Sequence, residues 1–231
     1  MTEMAKRVMV SIAHPDDAEF GAGGTIAKWA KEGSEVLLVV GTNGDKGSGD
    51  PAMTSEKLAR IREQEEREAA KALGISEVVF LGYPDGGLDD TREYRGKIVF
   101  QIRRFRPDII ITPDPHRLSH NHRDHRMAGL VTMDAVYPYA RDHLHFPEQL
   151  TNGLQPFKVG EVYLLGAENP DEYIDISETL EQKIAALRCH ASQFLDRSRD
   201  ISVFVREGAQ RTGEKAGLPY AEAFRKVTMR R

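Results

Sequence analysis

The sequence predicts an α/β fold, a Rossmann-like three-layer sandwich in which a mostly parallel sheet is flanked by helices and the active site lies at the carboxyl ends of the strands. Three observations carry this expectation. Short apolar runs rich in β-branched residues recur along the chain. Helical stretches separate the first four of them, the arrangement of βαβ units with right-handed crossovers. A polar, chemically loaded segment follows each of those four runs, where the ligand crevice of such a sheet lies. A length of 231 residues suits one domain over 1–231.

In chain order, the predicted strands are RVMVSIA (7–13), EVLLVVG (35–41), EVVFLG (77–82), DIIITP (108–113) and EVYLLG (161–166). Helices are predicted over 22–32, 55–73 and 92–106, the last ending at Arg106 because Pro107 disfavours a helical residue before it. In 55–73, Leu58, Ile61, Ala69, Ala72 and Leu73 form the expected buried stripe. Glu56, Lys57, Arg60, Glu63, Glu66 and Arg67 form the wet side, and Gly74 caps the end. SGDPAMTS and the 141–160 region read as irregular rims. The segment 209–231 is charged and helix-prone and is expected to dock on the core or on a neighbouring subunit.

Composition limits the partners. A net charge of −4 offers no clustered positive charge for nucleic acid or an anionic membrane surface, which points to a small-molecule partner. Cys189 is the single cysteine, so no intrachain disulfide forms. No stretch approaches the roughly 18 apolar residues of a membrane span, and the run from Val8 to Ala13 is too short for a signal-peptide core. A cytoplasmic address is expected.

AHPDDAEFGAGGT (13–25) admits two readings. A dinucleotide loop needs G-x-G-x-x-G, but after Gly21 and Gly23 the third position is Ile26, and no ribose-reading acid ends the second strand. The glycines are better read as allowing a turn and the first helix to approach the sheet closely. A metal site needs about three ligands and an open position. His14 and Asp17 can aim at one point, with Asp16 pointing elsewhere, and one histidine of HNHRDH (120–125) completes a His–Asp–His set. Either cluster alone is as well explained by solvated histidines and helix-capping aspartates. Both together at the crevice edge of one sheet favour the metal.

A divalent ion there makes hydroxide available near neutral pH and polarises a carbonyl. Asp16, beside it and not coordinated, is the natural proton carrier. His122, with Asp124 favouring its imidazolium form, suits the oxyanion. A pairing of residues i and i+2 requires the fourth helix to begin near Asp124, and His125 in its first turn still reaches the metal. This is metal-assisted hydrolysis of an amide or ester.

AHPDDAEFGAGGT, TNGDKGS, REQE, LGYPDGGL, HRDH, CHASQ and YAEAF together resemble the LmbE/PIG-L-like zinc-dependent N-acetylglucosaminide deacetylases across nearly the whole chain. The resemblance implies His14, Asp17 and His125 as ligands of Zn2+, with Fe2+ or another divalent transition metal as alternatives. It implies Asp16 as general base and acid, and His122, oriented by Asp124, at the oxyanion. Arg62 is expected near the substrate and Asp85 on sugar hydroxyls. Many members place glutamate directly after the paired aspartates; here Ala18 intervenes before Glu19. His116, His120, His143 and His145 crowd the same region, so the choice of His125 leans on the family motif. His190 of CHASQ either closes the pocket or serves packing. The implied partner is an N-acetylated sugar or glycoconjugate and the implied assembly a homo-oligomer, a hexamer in several compact members. A hydrolase of another small amide and a non-catalytic metal-binding protein are the competing readings, and the 141–160 loop is what would differ in a hydrolase of another amide, since rim loops shape specificity.

Overall fold

The strands are buried because helices cover both faces of the sheet they form. In the computed structural model, which describes residues 6–119, 122–194 and 200–230, seven strands pair in the order β3-β2-β1-β4-β5-β7-β6. They are β1 (Arg7–Ile12), β2 (Glu35–Thr42), β3 (Glu77–Tyr83), β4 (Ile109–Pro113), β5 (Glu161–Leu165), β6 (Glu172–Asp175) and β7 (Ala221–Thr228). The first five pair in parallel, and β7 runs antiparallel to both its neighbours. The predicted α/β architecture is thus observed.

Residue alternation sorts the core. On β1 and β2, Val8, Val10, Ile12, Val36, Leu38 and Val40 pack with α1 (Asp17–Lys31), α2 (Ser55–Leu73) and α6 (Leu180–Cys189). Met9, Leu37 and Val39 face the opposite layer, with α3 (Arg92–Phe105) and α4 (Arg123–Asp134). This period of two is what a strand buried on both faces presents. Short helices α5 (Pro147–Thr151) and α7 (Ala191–Phe194) and the longer α8 (Ile201–Glu214) complete the chain.

Three expectations need correction. The first helix begins at Asp17, not residue 22, so the glycine cluster lies inside it. Close approach is its purpose, since a Cβ on Gly24 would sit 2.7 Å from the Ile176 Cβ. In α2, Glu66 is fully buried instead of wet, while Ile61 and Ala72 are only half-buried. Finally, 209–231 is no appendage: α8 covers its start and β7 runs inside the sheet, between β5 and β6. There Glu222 accepts from the Gly24 and Thr25 amides (2.9 and 2.7 Å) and pairs with buried Lys183.

β1 lies between β2 and β4, so the chain leaves it toward one side for β2 and the other for β4. At this switch point the loops after β1 and β4 part and open a crevice.

Candidate active site

Four residues, 13–16, carry the chain from β1 into α1. Asp16 takes φ 93° and ψ −20°, a left-handed conformation that is strained for a residue with a Cβ. The turn separates adjacent carboxylates: Asp17 opens α1 and faces the histidines, while Asp16 faces Arg62. Across the crevice, His122 caps α4 by accepting the Asp124 amide on Nδ1 (3.1 Å), which places His125 in the helix's first turn. The predicted start of this helix is thereby met.

His14, Asp17 and His125 converge. His125 Nε2 lies 2.9 Å from Asp17 Oδ1 and 3.2 Å from His14 Nδ1, which is 3.6 Å from Asp17 Oδ2. The edge of a tetrahedral zinc shell with bonds near 2.0–2.1 Å is about 3.4 Å. Asp17 turns one oxygen toward each histidine, the separations bracket that edge, and the three residues lie close enough together to fit a divalent transition metal. With Nδ1 turned to the donors, His14 presents Nε2 to Asp85 Oδ1 (3.1 Å) and Asp124 Oδ2 (3.3 Å), outer partners that fix the tautomer and ring orientation of a ligating histidine.

The charges make the same demand. Burial opposes a proton on His14, yet Asp124, Asp17 and Asp85 raise its pKa to about 11. Burial likewise works against ionised Asp17, but His125 and His14 hold it well below the usual carboxylate range. The spot calls for positive charge, from a proton or from a metal ion. Asp16 differs: burial, then the charge of Asp17, lift its pKa to about 6 against the pull of Arg62.

Other expected site residues lie nearby in altered roles. Asp124 holds the His122 ring through its main-chain amide and not through its carboxylate. Its carboxylate accepts the Gly86 and Leu88 amides (2.6 and 3.1 Å) and faces His14 Nε2. Burial and the neighbouring His14 push His122 below its ordinary pKa, which favours the neutral ring over the expected imidazolium. Because Nδ1 accepts, its proton resides on Nε2. Arg62 is buried behind Asp16 and not laid out for a ligand: it donates to Pro15 O (2.6 Å), Gly44 O (3.0 Å) and Asp16 Oδ2 (3.2 Å). Asp85 is held by its own amide on Asp45 Oδ1 (2.8 Å) and by Lys46 on its carbonyl, and its carboxylate meets His14.

Among the competing histidines, His116 and His143 are exposed, His145 packs edge-on against Tyr139, and His120 lies outside the described residues. His190 is fully buried beside Glu19 and Glu66, a second group of possible donors that motif reading did not bring together. A cavity of about 270 Å3 opens beside Asp17 and His125, lined also by Phe20, Pro113, Arg117 and Leu165.

Comparison with known proteins gives this geometry its relatives. The chain is 34% identical to the diacetylchitobiose deacetylase of Thermococcus kodakarensis over 96% of its own length and 83% of the relative's. It is 32% identical to a 1D-myo-inositol 2-acetamido-2-deoxy-alpha-D-glucopyranoside deacetylase of Mycobacteroides abscessus, covering 81% of each chain. The solved N,N'-diacetylchitobiose deacetylase from Pyrococcus horikoshii superposes with a TM-score of 0.92 at 34% identity, covering 97% of this chain and 85% of that one. PIG-L, the GlcNAc-PI de-N-acetylase family, matches residues 9–136, from β1 to just past α4, and so takes in His14, Asp17 and His125. The chain belongs to the PIG-L family.

Proposed function

We propose that this protein hydrolyses the N-acetyl group of an N-acetylglucosamine-type sugar or glycoconjugate, with His14, Asp17 and His125 holding one divalent ion, Zn2+ in the first instance and Fe2+ or another transition metal as alternatives. The observation that carries the reading is the proximity of those three donors beside a half-buried Asp16 whose carboxylate faces Arg62. When bound, the ion supplies an acidified water and polarises the acetyl carbonyl. Asp16 takes the proton of the attacking water, and a pKa of about 6 suits a base that works near neutral pH. The Nε2–H of His122 donates to the oxyanion that forms on the carbonyl oxygen. Asp16 then delivers its proton to the sugar nitrogen as the C–N bond breaks, releasing acetate and a free amine. Asp124 and Asp85 hold the His14 ring, and Arg62 holds Asp16.

A cytoplasmic address and a homo-oligomeric, hexameric assembly belong to this proposal. Among the described residues no helix is long and apolar enough to cross a membrane. The test is an amine-release assay on N-acetylated glycosides and unrelated small amides, with protein of measured metal content. Release from N-acetylglucosaminides is expected. Release only from unrelated amides would reassign the substrate, and none from any would leave a metal-binding protein without turnover.

A further inference from the structure

Behind Asp16 lies a group of side chains that no step above uses. Glu19 of α1, Glu66 of α2 and His190 at the end of α6 are each fully buried. His190 Nε2 stands 3.6 Å from Glu19 Oε2 and 4.0 Å from Glu66 Oε2. Both Glu19 oxygens, Glu66 Oε1 and both His190 ring nitrogens have no hydrogen-bond partner. Buried polar groups normally find partners, and burial pushes the carboxyls of Glu19 and Glu66 up toward their protonated forms. The cluster nevertheless has one outlet, since Glu66 Oε2 accepts the Asp16 main-chain amide at 3.0 Å.

We propose that Glu66, backed by Glu19 and His190, is a positioning residue for Asp16, holding the Asp16 amide and thereby the left-handed turn that separates its carboxylate from that of Asp17. The inference rests on the reading of Asp16 as the proton carrier. Its geometry is specific. Residues four apart on a helix share a face, and α2 places Arg62 on the Asp16 carboxylate and Glu66 on the Asp16 amide, so one helix grips both ends of the residue. The CHASQ segment locks the back of that helix. Ser192 gives its amide and hydroxyl to Glu65 (both 2.7 Å), and Gln193 reaches Gly47 O in the loop after β2 (3.2 Å). Motifs far apart in the chain, REQE and CHASQ, thus form one bracket under the left-handed residue. Glue between helices would need no bond to Asp16; the acceptor on its amide gives the cluster a bearing on the reaction.

The experiment measures kcat and KM per bound metal ion for Glu66→Ala, Glu66→Gln, Glu66→Asp and Asp16→Asn. A displacement of about 1 Å in a reacting group costs on the order of 100-fold in rate. Glu66→Ala is expected to lose about that much kcat with KM and metal content held within about threefold. Glu66→Gln retains an acceptor for the amide and should recover to within about tenfold of the parent, whereas Glu66→Asp keeps the carboxyl group, withdraws the acceptor and should not. If Glu66→Ala does not fold, the Gln and Asp variants make the comparison alone. Asp16→Asn inactive with Glu66→Asp fully active would overturn this inference and spare the proposed function. Asp16→Asn active would overturn both. A second metal equivalent lost with His190→Ala would overturn the positioning role in favour of a cation site.

Discussion

At Asp16 the local chain is held in a conformation that costs roughly 1–3 kcal/mol for a residue with a side chain. Contacts from α2 sustain it, with Arg62 on the carboxylate and Glu66 on the amide. Burial and the charge of Asp17 raise its pKa to about 6, and Arg62 lowers it. A general base works as the carboxylate, so kcat/KM of the metal-loaded protein should rise with pH along a limb at or below about 6, since a bound cation pulls the value down. Replacing Arg62 with Met removes a neighbouring positive charge and should move that limb to higher pH. A limb that stays in place, or moves to lower pH, contradicts the assignment. Which residues would be near the metal was legible because they sit at strand ends. What each of them touches was not: Asp124 reads as a partner for His122, two residues away, yet its carboxylate points across the crevice to His14, a neighbour 110 residues distant.

Among the elements, α1 and β7 depend on each other. Lys183 and Glu222 are both buried, and Lys183 donates to the Phe20 carbonyl (2.8 Å) while Glu222 accepts from the Gly24 and Thr25 amides. The pair thus lies across the helix ladder at the glycine cluster. Removing one partner of a buried ion pair leaves the other uncompensated, at a cost of about 3–5 kcal/mol. Glu222→Ala should lower the urea midpoint by that equivalent with little change in slope; a loss below about 1 kcal/mol would show that the pair is dispensable. YAEAF reads as helix-prone because alanine and glutamate favour helices locally. Pairing with β5 and β6, whose partner residues lie far upstream in the chain, overrides that preference. Glu66 was hidden for a related reason. Helical periodicity separates apolar from polar positions and assigns a glutamate to water, whereas this face of α2 looks onto Asp16 and His190.

For the whole molecule, topology assembles the site. The donors come from the junctions where β1 leads into α1 and β4 into α4, strands adjacent in the sheet though separated by about a hundred residues of chain, and the switch in direction between them opens the crevice. The strand–helix alternation made this architecture legible from sequence. The late antiparallel strand escaped because its local sequence favours helix and it completes the sheet from inside, between β5 and β6. Metal content and turnover, measured together on Asp16→Ala and His125→Ala, test the central claim most directly. Asp16→Ala should keep one metal equivalent and lose about 100- to 10,000-fold in turnover, and His125→Ala should lose most of both. Full metal and full turnover in His125→Ala, or full turnover in Asp16→Ala, would contradict the account.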